Sequence, residues 1–315
     1  MKCNTICVLG GTGFVGGHLV ARLANDERRV KVLTRNRERH KQLLVMPNVE
    51  LIEANILDPQ MLAEQLTGQD AVINLIGILN GSEQAFQTLH GTLPGDVAQA
   101  CAATGVRRLL HMSALNADAG DGPSVYLRTK GAGENAAHEV DGVQVTSFRP
   151  SVIFGPDDSF FNRFAALLKL SPVVPLACPN VRFAPVYIDD VARAFSTSLE
   201  NESTFGQRYE LCGPRIFTLK ELVEYTAALT GRKRLIIGLS DRLSRLQARV
   251  FERIPGKPFT WDNYLSMQVD SVCRCNGLAA LGIKPCSVEA VMPPYFRGSE
   301  GVRSRYSGLR KLARR

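Results

Sequence analysis

Apolar residues follow two rhythms along the first 150 positions. Residues 5–9 (TICVL), 30–34 (VKVLT) and 49–54 (VELIEA) are short β-type runs. Between the first two, Phe14, Val15, Leu19 and Leu23 recur at helical spacing over 14–25, and 36–44 reads as a second helix. The segment ILDPQMLAEQLTG predicts a helix starting at Pro59, with Asp58 as N-cap and Gly68 as stop. DAVINLIG (70–77) is nearly unbroken in apolar character, as a parallel strand covered on both faces requires. VRRLLHMSA (106–114) and VQVTSFRPS (143–151) predict two further strands, each after a helical segment. This alternation predicts an α/β fold built on a doubly wound parallel sheet with right-handed crossovers.

Beyond about residue 155 the texture changes. Prolines cluster at 172, 175, 179 and 185 and again from 255, and helical stretches such as 218–231 alternate with irregular ones. The expected division is a Rossmann domain over 1–155, with 181–200 packing back on it. A smaller C-terminal substrate lobe then comprises 156–180 and 201–296, followed by a basic tail, 297–315. Such a lobe would close over the carboxyl edge of the sheet, where ligands of these sheets bind.

The first β-α turn reads GGTGFVG, with glycines at 10, 13 and 16. Gly10 permits a tight turn, Gly13 lets backbone approach a pyrophosphate, and Gly16 lets helix pack on strand. Because the triplet follows a strand and opens a helix, it predicts a dinucleotide site. The second strand ends Thr34-Arg35-Asn36-Arg37, with no acid before Glu38 to meet a ribose 2′-hydroxyl. Two guanidinium groups stand there instead, at a helix start that disfavours cations unless an anion is bound. This predicts NADP(H) in preference to NAD(H).

Ser113 lies at the end of the fifth predicted strand. Tyr126 and Lys130, in SVYLRTK, lie four apart on the helix leading to the sixth. That spacing puts both side chains on one helix face. A nearby ammonium and a positive nicotinamide would lower the pKa of a phenol, so Tyr126 could exchange a proton with a carbonyl oxygen or an alcohol. Ser113 would hydrogen-bond the same oxygen, and Lys130 would also hold the ribose. The expected catalytic set is therefore Ser113, Tyr126 and Lys130.

The segments VLGGTGFVG, INLIG, HMSA, YLRTKGAGE and RPSVIFGPDDSFFNRFA give the chain a family likeness. It resembles the atypical or extended short-chain dehydrogenase/reductases, which are NAD-dependent epimerase/dehydratase-like. With PVYIDDVARAF (185–195), the later segments look like the nucleotide-binding accessory subunit of mitochondrial complex I and its bacterial relatives. The likeness covers roughly 4–295 and is most specific over 106–195. It implies a bound NADPH, with Gly10, Thr12, Gly13, Phe14, Val15 and Gly16 at the pyrophosphate turn and Arg35 and Arg37 near the 2′-phosphate. It also implies cofactor contacts from Gly77, Lys130 and Pro150, the last on the nicotinamide side. Asn55 and Ile56 stand where the superfamily often has Asp-Leu beside the adenine, so the Asn is a departure. The complex I subunit is regarded as holding its nucleotide for structural reasons, so the likeness leaves turnover open.

Two functions follow from this reading. One is an NADPH-dependent oxidoreductase acting on a small hydrophobic carbonyl, quinone- or lipid-related. The other is a non-catalytic NADPH-holding accessory or assembly protein of a membrane respiratory complex. His90 reads as a neutral packed or capping histidine, with a substrate contact as the alternative. Asp189 and Asp190 read as helix caps before functional acids.

At 45% hydrophobic and 22% charged residues, the chain can bury a sizeable core. Its longest apolar runs fall well short of the ~18 residues that span a bilayer. The N-terminus runs straight into a strand, so no cleaved leader is expected. The eight cysteines (3, 7, 101, 178, 212, 273, 275 and 286) mostly sit singly in apolar stretches, and Cys273 and Cys275 lack zinc or redox spacing. Reduced, buried thiols in a cytoplasmic protein are expected, with no metal site.

The tail holds seven cations and one acid, a net +6 of the chain's +8. It reads as a solvated terminus or as a patch for anionic lipid or an acidic partner. It offers nucleic acid nothing but nonspecific phosphate attraction. Segment 242–254 sets Leu243, Leu246, Val250 and Ile254 beside four arginines. It reads as a lobe helix packed on the core or as an interfacial helix. The second reading, with the tail, predicts peripheral contact at the inner face of the membrane.

Overall fold

The computed structural model describes residues 2–296; the basic tail, 297–315, lies outside them. Six strands appear where the apolar runs predict them: β1 (Thr5–Leu9), β2 (Arg29–Thr34), β3 (Val49–Glu53), β4 (Ala71–Asn74), β5 (Arg108–Met112) and β6 (Gln144–Pro150). The sheet has a seventh strand, Arg208–Leu211, and runs in the order seventh–β6–β5–β4–β1–β2–β3. All its pairings are parallel. The order reverses between β1 and β4, which opens a crevice at their carboxyl ends.

The unbroken apolar character of β1 has a direct cause. Ile6 and Val8 enter the core on one face of the sheet, with Leu19 and Val20 of α1 (Phe14–Asn25). Cys7 and Leu9 enter the core on the other, with Leu62 and Leu66 of α2 (Pro59–Leu66). Alternate residues of a strand point to opposite faces, so a doubly covered strand has no polar side. As expected, α2 starts at Pro59 and is capped by Asp58, which accepts from the N–H groups of Gln60 (3.0 Å) and Met61 (3.3 Å). The helix expected at 36–44 is the tighter 3-10 kind, over Arg37–Val45.

On the face shared with α2 lie the short α3 (Glu83–Phe86), α4 (Leu93–Thr104) and α5 (Val125–His138). The lobe contributes α6 (Ser159–Leu170), and α7 (Ile188–Ser198) returns to pack beside α1. Further on come α8 (Leu219–Leu229), α9 (Asp241–Phe251) and α10 (Trp261–Ser266). A parallel ribbon pairs Val173–Leu176 with Leu235–Gly238. No described helix is long and apolar enough to cross a membrane.

Four expectations are corrected. Residues 208–211 belong to the main sheet and not to the lobe, because the strand RYEL pairs with β6. It is an edge strand of mixed polarity, so it lacks the apolar run that marked the others. The cysteines are not all reduced: Cys212 and Cys273 form a disulfide, and Cys275 is exposed. Asp189 and Asp190 lie in the first turn of α7 but do not cap it. Asp189 sits 3.3 Å from His18, and buried Asp190 accepts the backbone N–H of Cys286 at 2.7 Å. Finally, the leucine stripe of α9 does not pack on the core. Leu243, Leu246 and Val250 face solvent, while Ser244 and Ala248 are buried.

Candidate active site

The glycine turn has the form a diphosphate needs. Gly10 takes φ +78°, and a Cβ there would meet the Leu75 carbonyl carbon at 3.0 Å. A Cβ on Gly16 would fall 2.2 Å from the Gly10 oxygen, so strand and helix pack only because it is absent. Gly13 is exposed and is the N-cap of α1, with no side-chain cap and no acid in the first turn. The N–H groups of Phe14, Val15 and Gly16 therefore begin the helix without intrahelical acceptors, a standing site for an anion. Thr12, half-buried, completes the turn.

Beside this turn, Arg35, Glu53, Ala54, Asn55 and Met61 line a hollow of ≈ 390 Å³. Arg35 and Arg37 are both exposed there, but an acid accompanies them. The parallel register sets Glu53 opposite Thr34, and Glu53 Oε2 accepts the Arg37 backbone N–H at 3.0 Å. Sequence reasoning looked for the acid on β2, whereas it comes from β3. Asn55 turns its Oδ1 back to the Leu57 N–H (3.2 Å), and half-buried Ile56 packs against the core under α2.

Ser113, Tyr126 and Lys130 are brought together at the carboxyl ends of β4 and β5. Lys130 Nζ donates to the Met112 carbonyl (3.0 Å), next to Ser113, and to the Ile76 carbonyl (3.4 Å). Ser113 is 3% exposed, and its Oγ has no hydrogen-bond partner. Gly77 leaves room here: a Cβ would stand 3.3 Å from Lys130 Nζ and 3.6 Å from His90 Nε2. Pro150 ends β6 at the same edge, its carbonyl accepting the Leu115 N–H at 3.1 Å.

The Tyr126 ring meets His90 edge to face (centroids 5.4 Å) and Phe86 likewise (6.2 Å). His90 Nε2 accepts the Ile78 N–H at 3.0 Å. Burial, then the Lys130 ammonium, push His90 down to about 3, so it is a neutral packed histidine. Burial pushes Lys130 down to about 8, against an opposing pull from Glu134. The lowering expected of the phenol pKa calls on a bound nicotinamide as well as the ammonium. Burial, then Asp262, push Tyr126 up to about 12, so the phenol is held protonated.

Sequence reasoning missed the residues that seat the phenol. Ser124 caps α5 by accepting the Leu127 N–H (3.1 Å). The lobe residue Asp262 accepts the N–H groups of Val125 (2.7 Å) and Tyr126 (3.3 Å). Ser266 Oγ donates to Ser124 Oγ at 2.8 Å. A pocket of ≈ 630 Å³ opens beside this junction, bounded by Phe86, Val125, Trp261 and Leu265, by Arg249 and Arg253, and by the carboxylates of Glu83, Glu252 and Asp262. One turn beyond Lys130, fully buried Glu134 accepts from Arg149 (2.9 Å) and Arg208 (2.8 Å). Nothing local in the sequence pairs Asp262 with a helix more than a hundred residues earlier.

Residues 6–212 match the family described as NAD dependent epimerase/dehydratase. The alpha subcomplex subunit 9 of mitochondrial NADH dehydrogenase (ubiquinone) 1 from Rattus norvegicus is 28% identical over 294 residues, covering 90% of this chain and 77% of that protein. A ceramide reductase of Caulobacter vibrioides is 30% identical, covering 60% of this chain and 59% of that protein. A (4-alkanoyl-5-oxo-2,5-dihydrofuran-3-yl)methyl phosphate reductase of Streptomyces griseus is 30% identical, covering 72% and 74%. Among solved structures, the dTDP-glucose 4,6-dehydratase of Streptomyces venezuelae with NAD bound superposes with TM-score 0.76 at 21% identity, covering 95% of this chain and 98% of that one.

Proposed function

Because this chain belongs to the NAD-dependent epimerase/dehydratase family, whose fold binds NAD(P), we propose that it is an NADP(H)-dependent oxidoreductase that reduces a hydrophobic carbonyl. The observation that carries this reading is the company Ser113 keeps. Its buried hydroxyl has no partner, beside a lysine ammonium and a tyrosine held protonated. The glycine turn, with its uncapped helix end, fits a dinucleotide diphosphate. A bound reduced nicotinamide supplies hydride.

The residues then divide the remaining work. Tyr126 gives its phenolic proton to the carbonyl oxygen as negative charge grows there. Ser113 Oγ donates a hydrogen bond to the same oxygen. Lys130, fixed by two backbone carbonyls, stabilises the phenolate left behind. His90 and Phe86 pack against the ring and keep water from it. At neutral pH the phenol carries its proton, so it starts as the donor that the reducing direction needs.

Arg35 and Arg37 support the phosphorylated coenzyme, and the nearby Glu53 carboxylate weakens that preference. The pocket beside α5 joins aromatic and aliphatic walls to a polar rim of two guanidinium groups and three carboxylates, which suits an amphiphilic carbonyl, lipid- or quinone-related. Two relatives bear the name reductase. A peripheral site at the inner face of the membrane accords with this substrate class.

A second reading has its own support. A relative whose match covers 90% of this chain is a complex I subunit. On that reading the protein holds NADPH as a brace within a respiratory complex. Single-turnover oxidation of bound NADPH by a panel of quinones and long-chain aldehydes separates the two. The oxidoreductase reading expects a rate that falls roughly a hundredfold to ten-thousandfold in Tyr126→Phe. No oxidation in the wild type, or an equal rate in the variant, sinks it.

A further inference from the structure

The exposed stripe of α9 is not an isolated leucine or two. Leu243, Leu246 and Val250 recur at spacings of three and four, so they lie along one side of the helix, and Ile254 follows just past its end. All four are exposed, Leu246 at 58%. The side that faces the lobe is made of small residues, Ser244 and Ala248, and Ser244 Oγ accepts the Cys178 N–H at 3.1 Å. A helix that buries its small residues and exposes its leucines has its apolar side left for something else.

The apolar surface continues past the helix. Gln247 Nε2 donates to the Pro175 carbonyl at 3.0 Å, which ties α9 to the parallel ribbon. On that ribbon the outward residues are Val173, Pro175, Leu235 and Ile237, all exposed, while Val174 and Ile236 fill the core beneath. Leu235 is 59% exposed, and Leu170, just before the ribbon, faces water as well.

Charge says what covers this surface. Along the other edge of the stripe run Arg242, Arg245 and Arg249, with Arg253 in the turn just past the helix, all exposed. Arg245 pairs with Asp241 (2.8 Å) and Arg249 lies over the Trp261 ring, while no ion pair engages Arg242 or Arg253 among the described residues. Lys169 and Lys233 stand exposed at the ribbon's end. A row of guanidinium groups beside a strip of leucines matches the headgroup-to-acyl boundary of an anionic bilayer. A protein partner's apolar groove would leave these cations unsatisfied.

We propose that the outer face of α9 and the adjoining ribbon seat the protein on an anionic lipid bilayer, with the helix lying in the interface plane. Arg249 and Arg253 belong to this face and also to the rim of the 630 Å³ pocket beside the tyrosine helix. Seated this way, the protein holds the pocket mouth at headgroup level. The seat stands whether or not the phenol turns over.

The test is co-sedimentation of the full-length protein with vesicles of phosphatidylcholine alone and of phosphatidylcholine with phosphatidylglycerol. Binding is expected to the anionic vesicles and to weaken with salt. It is expected to fall about tenfold or more in Leu246→Glu/Val250→Glu, from the lost apolar burial, and also in Arg242→Glu. Unchanged circular dichroism and coenzyme affinity show that these surface variants are folded. Two results overturn the proposal. One is equal vesicle binding by Leu246→Glu/Val250→Glu together with loss of binding on removing residues 297–315. The other is a dimer in solution that the same variants split, with no vesicle binding by the wild type, which assigns the face to a second copy.

Discussion

The Asp262 carboxylate accepts the backbone N–H of Tyr126 at 3.3 Å, reaching from the lobe to the first turn of the helix that carries the phenol. The same group accepts the Val125 N–H and adds to the upward push on the Tyr126 pKa. One carboxylate thus docks the lobe and helps keep the proton on the tyrosine.

Substitution of Asp262 by Asn removes the charge and keeps one acceptor. The Tyr126 pKa is expected to move down towards its usual value, read by NMR of ring-labelled tyrosine. Asp262→Ala removes both acceptors, and the loss of this cap is expected to cost about 1 kcal/mol in chemical denaturation. A Tyr126 titration that does not move in Asp262→Asn would falsify the electrostatic part of this account.

Three histidines make the fold sensitive to mild acid. Burial pushes His90 down to about 3 and His138 down to about 4. His111, fully buried with both ring nitrogens unpartnered, is held well below its ordinary value by burial and by Lys130. Once unfolded, each protonates near its ordinary 6.5, so below that pH the unfolded chain binds more protons than the folded one. Stability is full above pH 6.5 and falls as the pH drops towards 4, by up to about 1.4 kcal/mol per pH unit for each histidine. Carboxylates held low, such as Glu221, add their loss only near pH 4.5 and below. Denaturant midpoints at pH 7, 6 and 5 should decline, and His111→Gln should flatten the decline. A flat profile across this range contradicts the burial of neutral imidazoles.

The bond between Cys212 and Cys273 closes a loop of 61 residues that contains most of the lobe's helices. Cross-linking a loop of that length restricts the unfolded chain by up to about 4 kcal/mol. Dithiothreitol, or Cys273→Ser, should therefore lower the thermal midpoint. The oxidised protein should show one thiol pair fewer than the reduced one in an alkylation mass measurement. Equal thiol counts before and after reduction would show the bond is not formed.

The proposed coenzyme preference rests on three charges, Arg35 and Glu53 at the hollow and Arg37, whose backbone N–H donates to Glu53. Arg35→Glu and Arg37→Glu should each weaken NADPH about tenfold and leave NADH little changed, as loss of a charge-assisted hydrogen bond to phosphate implies. Glu53→Gln should shift the ratio the other way by removing the repulsion. Calorimetric affinities that do not separate the two coenzymes in any of these proteins would remove the arginines from the site.

The sheet was legible because doubly covered strands advertise themselves. TICVL must be apolar on both faces, and the structure begins and ends β1 at those five residues. That Lys130 comes beside Ser113, donating to the carbonyl of the preceding Met112, was legible too, since a carboxyl strand end and the next helix share an edge in this topology. Other features had no local signal. RYEL at 208–211 is an edge strand of mixed polarity, so no rhythm marks it. Period reveals which residues share a side of a helix but not where that side points; for α9 it points outward. Asp262, Glu53 and the Cys212–Cys273 bond each act across a long stretch of chain, and only folding brings them to their partners.

Tyr126, Lys130 and Glu134 follow one another at intervals of four along α5. The last is bolted by two arginines to β6 and to the edge strand beside it. The bearing of the phenol is thereby fixed at both ends of its helix, by the sheet through Glu134 and by the lobe through Asp262. A change that shifts the lobe therefore tugs on the tyrosine's helix, while the arginine anchor at its other end resists.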